Sequence, residues 1–442
     1  MTTDPGVSPR TVQRERTRER ILEAARALFV QQGYRGTSLR EVAAAAGISH
    51  PGLAKHYSST DELLAAVLAR MEAENARALP AVARDGTLPF SALAARNAAT
   101  PGYVALFAAL LGEASTPSHP SHAAMAARYA EVERESLAVL DRARRAGTIH
   151  PDRATAAEMR RFDAIWDGLQ LMEQFLPDRV DTPALLRRLE ERWREPPAAP
   201  PAPPDPAAGP GPDPGPGPEP GPGPETGQGP EPGPGAGPDV AAEAVPPDTS
   251  GYRTGRERRA QILAAASDLF AQDGYAETSL ARIARTAGAS KAAVLHHFGS
   301  KEGLVEAVLD ARDRELRALA GHRPSPPGGR EGLLLLVQQA RVAARRAPGL
   351  IQLYAVLSCE AAPASHPAHG YVADRFRAVL ADSEALFARA REDGDLPAHR
   401  DPAQEALLCI ALWDGLQYRW LYDRGIDLTA DLEAHLAQVL AP

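Results

Sequence analysis

Hydrophobic residues recur at helical spacing along most of this chain. The stretch RERILEAARALFVQQGY, residues 18–34, is the first example, and Gly33 near its end is a typical helix stop. One face of this helix collects the apolar side chains of Ile21, Leu22, Ala25, Leu28 and Phe29. Later segments are rich in Ala and Leu, are separated by Pro or Gly, and nowhere alternate apolar and polar residues as a strand would. The pattern predicts an all-α protein.

Short helices are predicted to follow the first one. In TSLREVAAAAG, Ser38 is expected to cap a helix, Glu41 to complete a capping box, and Gly47 to end the helix. Ser49 is expected to cap a third, short helix, and the sequence STDE at 59–62 to open a fourth. A helix, a tight turn that ends in glycine, and a short second helix have the layout of a helix-turn-helix.

The chain holds two copies of this arrangement. Residues 21–68 align without a gap with residues 262–309, and 22 of these 48 positions are identical. Further along, the sequence WDGLQ at 166–170 returns at 413–417, at an offset of 247 residues. Each copy is therefore a full structural unit of nearly 200 residues and not a short solenoid repeat.

A segment rich in Pro and Gly separates the two copies. Its prolines lack the N–H that helices and sheets need, and it has little apolar surface to bury, so it is predicted to be a disordered linker. About 55 residues of such a chain span roughly 40 Å as a coil. The predicted domains are an N-terminal arm with the first helix-turn-helix (1–68), a helical ligand-binding and dimerisation domain (69–195), the linker (196–250), a second helix-turn-helix domain (251–309) and a second helical domain (310–442).

Positive charge is concentrated in the two helix-turn-helix stretches. The whole chain has a net charge of −8, but residues 1–68 carry nine Lys/Arg against seven Asp/Glu, and residues 251–309 carry eight against six. All three lysines of the chain, Lys55, Lys291 and Lys301, lie in these stretches. Lysine is a compact point charge that suits a phosphate oxygen, so the local excess points to nucleic acid where the total does not.

The remaining composition argues for a cytoplasmic protein. Two cysteines, Cys359 and Cys409, cannot form a disulfide framework and are interpreted as small buried hydrophobic residues. The first 20 residues lack the apolar core of a signal peptide, and the longest aliphatic run, LLLLV at 333–337, is too short to span a bilayer. No membrane partner is expected.

Polar groups at the helix starts suit a DNA backbone. Thr37 and Ser38, and their counterparts Thr278 and Ser279, offer hydroxyl and backbone N–H groups to phosphate. The side chains of the short helices that follow must point outward to reach base edges. Their predicted contact residues are Ser49, His50, Pro51, Gly52, Lys55 and His56 in the first copy, and Ser290, Lys291, Ala292, Ala293, Leu295, His296, His297 and Lys301 in the second.

These motifs resemble a known family. TSLREVAAAAGISHPGLAKHYSSTDELLAAVL and TSLARIARTAGASKAAVLHHFGSKEGLVEAVL look like the DNA-binding region of TetR-type (tetracycline-repressor family) transcriptional regulators. The later HPSH and WDGLQ motifs are similar to the ligand-binding half of members from GC-rich bacteria. The resemblance implies two tandem TetR-like units, double-stranded operator DNA and a small-molecule effector as partners, and repression as the usual mode of action.

The chain departs from the family pattern at positions that typically touch the DNA backbone. An aromatic residue, usually Tyr, is replaced by Ala54 in the first copy and Leu295 in the second. A family lysine is Thr60 in the first copy and is kept as Lys301 in the second. An arginine-rich arm is able to compensate, or is a disordered, solvated tail; its arginines are Arg10, Arg14, Arg16, Arg18 and Arg20.

No sequence pattern supports an enzyme or a metal centre. There is no nucleophile elbow, paired-carboxylate signature or phosphate-binding loop, and no cofactor is expected. The histidine pairs His119/His122 and His366/His369 have too few companion ligands, so capping or packing is the favoured interpretation.

An effector cavity is predicted in each unit. The expected walls are Phe107 and Trp166 in the first and Tyr354 and Trp413 in the second, with linings that differ at Gly112 and Cys359.

Two functional hypotheses remain open. The first is a ligand-responsive regulator whose units pair within one chain, near WDGLQ, as a covalent pseudo-dimer on an operator with two unlike half-sites. The second is a ligand sensor or partner-binding protein that kept the fold but has weakened DNA binding.

Overall fold

The computed structural model describes residues 9–33, 36–82, 88–100, 102–116, 119, 121–153, 156–197, 250–320 and 328–441, and within these residues every regular element is a helix. The predicted linker therefore lies almost wholly outside the described residues. The first unit comprises α1 (Pro9–Gln32), α2 (Leu39–Ala45), α3 (His50–Ala54), α4 (Thr60–Val82), α5 (Phe90–Ala99), α6 (Tyr103–Glu113), α7 (His122–Arg145), α8 (Ala156–Phe175) and α9 (Thr182–Arg192). The second comprises α10 (Ser250–Glu277), α11 (Leu280–Thr286), α12 (Lys291–Phe298), α13 (Lys301–Ala320), α14 (Gly329–Arg346), α15 (Pro348–Glu360), α16 (His369–Glu392), α17 (Pro402–Tyr422) and α18 (Ala430–Val439).

The first four helices of each unit form a small head packed around buried apolar residues, which are continuous with the core of the other helices. In the first head, Ile21, Phe29, Leu53 and Leu63 are almost completely buried. Gly33 ends α1 with a φ of 77°, a left-handed conformation that glycine adopts without strain. The predicted capping box at the start of α2 is present, because the Ser38 hydroxyl accepts from the Glu41 N–H while the Glu41 carboxylate accepts from Ser38.

Two details differ from the sequence-based expectation. The arginine-rich arm is helical from Pro9 and is not a disordered tail. The expected head boundaries, after residues 68 and 309, fall inside the continuous helices α4 and α13. These two helices join each head to the remaining helices of its unit. At the start of α4, the Ser59 hydroxyl accepts from the Glu62 N–H at 3.1 Å, as expected, and the Glu62 carboxylate accepts from the Ser58 N–H at 2.7 Å.

Helices α8 and α17, one from each unit, cross in very close contact. A Cβ built on Gly168 would lie 1.9 Å from the carbonyl oxygen of Ala411, and one on Gly415 would lie 1.7 Å from that of Ala164. Gly168 and Gly415 are equivalent positions of the two WDGLQ motifs, and Ala164 and Ala411 are equivalent as well. The contact is therefore reciprocal, as in a two-fold symmetric interface.

Aromatic contacts repeat the same symmetry. The His122 ring stacks on Tyr422 with ring centroids 5.3 Å apart, and the His369 ring stacks on Phe175 at 4.9 Å. Each pair joins equivalent positions of the two units at the 247-residue offset. A third contact places Gly112 of α6 against Cys359 of α15, where an added Cβ would lie 2.4 Å from the cysteine Cβ.

The two cysteines lie in the apolar core, as predicted. Both are buried with free thiols, and burial raises the pKa of Cys409 to about 12. Cys359 and Gly112 were expected to line separate effector cavities, but the structure places them face to face between the units. Among the described residues, no helix combines the length and apolarity needed to cross a membrane.

Candidate DNA-binding surfaces and a candidate ligand cavity

Helix α3 presents the predicted contact residues of the first head. The Ser49 hydroxyl accepts from the Gly52 N–H at 3.2 Å and begins the helix, as predicted. Leu53 is fully buried and fixes α3 to the head, which leaves the opposite face of the helix in solvent. The exposed side chains are His50, Pro51, Ala54 and Lys55, while Gly52 and His56 are half-buried.

Helix α12 has the same construction with different side chains. The Ser290 hydroxyl accepts from the Ala293 N–H at 3.0 Å, and Val294 is fully buried. The exposed residues are Lys291, Ala292, Leu295 and His296, while Ala293 and His297 are half-buried. Helix α12 therefore exposes a lysine and a large apolar side chain at positions where α3 has His50 and Ala54.

The threonines at the helix starts do not offer their hydroxyls to phosphate. Thr37 and Thr278 are buried, and their hydroxyls donate at 2.8 Å to the carbonyl oxygens of Gly33 and Gly274. This corrects the sequence-based expectation for both side chains. Their role is to close the turn between the first two helices, because a buried hydroxyl must find an internal acceptor.

The N-terminus of α2 and that of α11 differ in charge. In the first head, the N–H and hydroxyl of Ser38 both donate to the Glu41 carboxylate, and these hydrogen bonds hold its pKa below the usual value. In the second head, Arg282 stands at the position of Glu41 and pairs with Asp273 at 2.9 Å. An ionised carboxylate repels phosphate, so the second head has the more favourable helix start for DNA.

The ammonium group of Lys301 packs against an aromatic ring of the protein itself. Its ammonium lies 4.2 Å from the centre of the Tyr275 ring, and the side chain is half-buried. Burial lowers its pKa, an effect that the nearby Glu360 and Glu302 oppose. Contact with phosphate would require the ammonium to leave this position, so Lys301 is a weaker candidate than the exposed Lys291.

The arginine-rich arm is attached to the first head at two points. Arg18 donates to the Tyr57 hydroxyl at 2.9 Å, and Arg20 donates to the carbonyl oxygen of Ala46 at 3.0 Å. Arg14 and Arg16, one helical turn nearer the N-terminus, are exposed. The arm therefore extends α1 as a positively charged helix beside the head.

A cavity of about 120 Å³ lies among α4 to α8 of the first unit. Phe107 and Trp166 both line it, at the place predicted from the sequence. Tyr103, Phe90 and Tyr129 complete an aromatic wall. The second unit contributes Arg419 from α17, so the cavity belongs to both units.

Buried carboxylates give this cavity its polar end. Asp163 and Asp167 lie one turn apart on α8, and each has an oxygen 3.9 Å from the Arg419 guanidinium. Burial raises the pKa of Asp163 to about 7; Arg419 and Arg128 oppose this shift, while the charges of Asp167 and Glu133 add to it. Burial likewise raises the pKa of Asp167. Asp163, Asp167 and Glu133 share Arg419. A second guanidinium, that of Arg128, lines the same cavity and lies 4.6 Å from the centre of the Phe107 ring.

The equivalent region of the second unit also contains two guanidinium groups. Tyr354, the counterpart of Phe107, is fully buried, and the guanidinium groups of Arg375 and Arg312 lie 4.2 and 4.5 Å from its ring centre. Arg375 is the counterpart of Arg128, whereas Arg312 stands at the position of Met71. Trp413 is half-buried in the same region.

A known protein family matches both heads of the chain. The profile described as "Bacterial regulatory proteins, tetR family" matches residues 21–67 and again residues 262–308, which are the two heads. The HTH-type transcriptional regulator TtgR of Pseudomonas putida is 32% identical over 189 residues, which cover 40% of this chain and 87% of that protein. The chain belongs to the tetR family.

Other relatives agree with this assignment. The probable HTH-type transcriptional regulator ArpR of Pseudomonas putida is also 32% identical, over 40% of this chain and 87% of its own length. The HTH-type transcriptional repressor Rv3405c of Mycobacterium tuberculosis is 46% identical over 74 residues, which cover 16% of this chain and 39% of that protein. The protein is therefore a tetR-family transcriptional regulator with two tandem copies of the family's helix-turn-helix domain in one chain.

Several residues of this tetR-family chain escaped sequence reasoning. Asp163, Arg128 and Arg419 line the cavity, but none stands in a motif that identifies a pocket.

The four histidines of the HPSH-type motifs stabilise loops and the unit interface. His122 and His369 place a ring nitrogen 2.9 Å from the carbonyl oxygens of Ala114 and Ala361. His119 and His366 accept backbone N–H groups two residues ahead. Within the described part of the chain, no group of three or more His, Cys, Asp or Glu side chains is arranged to hold a metal ion.

Proposed function

We propose that this protein is a ligand-responsive repressor that binds one operator as a covalent pseudo-dimer. The family assignment supports the DNA-binding regulator, and the repressor activity is inferred from relatives such as Rv3405c. The cavity beside the unit interface supports the ligand response. An effector acts by favouring a conformation in which the two heads are wrongly spaced for DNA.

The reciprocal contact of α8 with α17 is the observation that carries the pseudo-dimer. Gly168 and Gly415 each lie against the backbone of the opposite unit, and the equivalent residues exchange roles. A homodimer places one surface against its own copy in this way. Here the two copies belong to one chain, and the linker keeps their effective concentration in the millimolar range.

Charge makes the pairing of unlike units favourable. Arg160 of the first unit donates to Asp431 of the second at 2.7 Å, and Arg192 pairs with the fully buried Glu405. Arg179 pairs with Glu384 at 2.5 Å in the same sense. In each of these pairs the arginine comes from the first unit and the carboxylate from the second.

Pairing between two second units would lose these partners. The positions of Arg160 and Arg192 in the second unit are Leu407 and Val439. Asp431, only 5% exposed, would then face a leucine in place of a guanidinium. Removing one partner of a buried ion pair typically costs about 3–5 kcal/mol, so dimers of second units from different chains are disfavoured.

Two unlike heads call for an operator with two unlike half-sites. Paired heads in this class of protein meet half-sites about one helical turn, roughly 34–36 Å, apart. His50, Pro51 and Lys55 face the DNA from α3, whereas Lys291, Ala292 and His296 face it from α12. Different side chains at the base edges select different bases, which identical heads are unable to do.

A gel shift and footprint on the intergenic DNA beside the gene test this function. We expect retardation by the full chain and a footprint of two different half-sites. Disrupting α3 alone should expose the first half-site, and disrupting α12 alone the second. A footprint with perfect two-fold symmetry would overturn the asymmetric operator, and the absence of any retardation would overturn the DNA-binding regulator.

Specific features favour the alternative of a sensor with weakened DNA binding. The Glu41 carboxylate occupies the start of α2, Lys301 is packed on Tyr275, and Ala54 stands at the position of a family tyrosine. This alternative predicts ligand binding without retardation of the intergenic DNA. The same gel shift therefore separates the two functions.

A further inference from the structure

A second cavity, smaller and more polar, lies between the two units. Its volume is about 60 Å³. The first unit contributes Arg161 of α8 and Arg192 of α9, and the second contributes His435 of α18 and Arg400, which precedes α17. A single water needs roughly 10–15 Å³ of such space, so this interface cavity has room for a molecule or ion of about four or five heavy atoms.

Positive charge is in excess on one side of the interface cavity. Arg192 from the first unit and Arg400 from the second both pair with Glu405, whose side chain is completely buried. Beside them, Arg153 pairs with Glu158 at 3.1 Å. Three guanidinium groups therefore stand against two carboxylates here, and two of the three must share one carboxylate.

Arg161 adds a fourth guanidinium that is poorly satisfied. The residue is only 6% exposed, and its Nη1 lies 3.6 Å from the Asp431 carboxylate, which is longer than a normal hydrogen bond. That carboxylate already accepts two hydrogen bonds from Arg160, at 2.7 and 3.2 Å. A buried charge is costly unless it is paired and hydrogen-bonded, so the N–H groups of Arg161 call for an acceptor inside the cavity.

His435 gives an independent indication of a ligand. It lines the interface cavity and is 6% exposed, and its Nε2 makes no hydrogen bond within the described part of the chain. Burial lowers the pKa of His435 to about 3, and the charges of three cavity arginines add to this shift. The imidazole is therefore neutral and carries one N–H, which it can present at Nε2. A positive field that disfavours a proton on His435 favours an anion beside it.

We propose that the interface cavity binds one small oxyanion per chain, either inorganic phosphate or the carboxylate of a small acid. Arg161 and His435 donate hydrogen bonds to the anion, and Arg192 and Arg400 supply positive charge around it. The planar guanidinium of Arg161 matches two oxygens of such an anion at once. Because both units contribute, the bound anion stabilises their pairing. The site goes beyond DNA binding and the effector response, and it depends on neither.

Isothermal titration calorimetry and thermal unfolding of the full chain without DNA test the site. The buffer is Hepes with sodium gluconate at constant ionic strength, because gluconate is too large for the cavity. We expect inorganic phosphate to bind at one site per chain and to raise the melting temperature. Arg161→Leu should weaken phosphate binding at least about 10-fold, because it removes charge-assisted hydrogen bonds. Leucine suits this helix position, since the second unit has Leu408 there.

Two further variants separate the site from general charge effects and from misfolding. Arg188→Leu removes the same charge from an exposed position on α9 and should leave phosphate affinity unchanged. Arg161→Lys keeps the charge but loses the planar fork, so it should bind phosphate several-fold more weakly even if Arg161→Leu does not fold. Circular dichroism checks the folding of each variant.

The choice of anion decides the remaining outcomes. Acetate titrated in place of phosphate shows which oxyanion the site prefers, and tighter binding of either one supports the site. No binding of phosphate or acetate, or phosphate affinity unchanged in both Arg161 variants, would overturn it. Chloride binding as tight as that of both oxyanions would overturn the oxyanion class. Because the titrations contain no DNA, their result is separate from that of the gel shift.

Discussion

Replacing Gly168 with alanine should separate the two units. The new methyl carbon would lie 1.9 Å from the carbonyl oxygen of Ala411, whereas an ordinary contact begins at 3.4 Å. The two backbones must therefore move apart by about 1.5 Å, the difference between these distances. The obstacle is helix backbone, which cannot rotate aside as a side chain does.

The cost is that of overpacking a closely packed interface. Such changes typically cost about 1–3 kcal/mol, and a backbone obstacle puts this one at the upper end. About 3 kcal/mol corresponds to roughly a 100-fold weaker pairing of the units. Gly415→Ala should act alike, because its Cβ would lie 1.7 Å from the Ala164 carbonyl oxygen.

Fluorescence anisotropy with operator DNA and thermal unfolding measure the effect. We expect Gly168→Ala to lower the melting temperature by several degrees and the operator affinity by at least about 10-fold. Gly349→Ala and Gly370→Ala are matched controls, because both glycines are exposed helix residues with no neighbouring atom within 4 Å of the added Cβ. Alanine there should be close to neutral, because the added methyl group meets open space and both positions lie in the first turn of a helix. Wild-type stability and operator affinity in Gly168→Ala would refute the close crossing.

Two further predictions concern the heads. Lys291→Ala should reduce the slope of log affinity against log salt by about one unit. Lys301→Ala should reduce the slope less, because the Lys301 ammonium packs on Tyr275. Equal changes in slope for the two variants would contradict the different roles of the two lysines. Glu41→Gln keeps the capping geometry and removes a negative charge, so we expect operator affinity to rise several-fold at low salt, and unchanged affinity would place the α2 start away from phosphate.

The local features of the heads could be predicted from the sequence, because short-range patterns determine them. The caps at Ser38 and Ser49 form as expected, since each depends on residues within four positions along the chain. The burial of Thr37 was not predicted, because it depends on how α1 and α2 pack against each other. Its hydroxyl is buried there and donates to the Gly33 carbonyl oxygen in the preceding turn.

The cavity was only partly predictable. Phe107 and Trp166 were found because both are large aromatic residues in repeated motifs. Arg419 was not, because it enters the first unit's cavity from the second unit, and no local pattern reports a contact made across 250 residues of chain. Gly112 and Cys359 were assigned to separate cavities because their contact also joins the two units. They are equivalent positions of the repeat, and the two-fold arrangement of the units places them opposite each other.

The number of chains in the complex with operator DNA tests the central claim most directly. Multi-angle light scattering of the purified complex, with a DNA fragment containing the whole footprint, gives the mass without assumptions about shape. A covalent pseudo-dimer predicts one chain per operator, with both half-sites protected. Two chains per operator, each using one head, would contradict it.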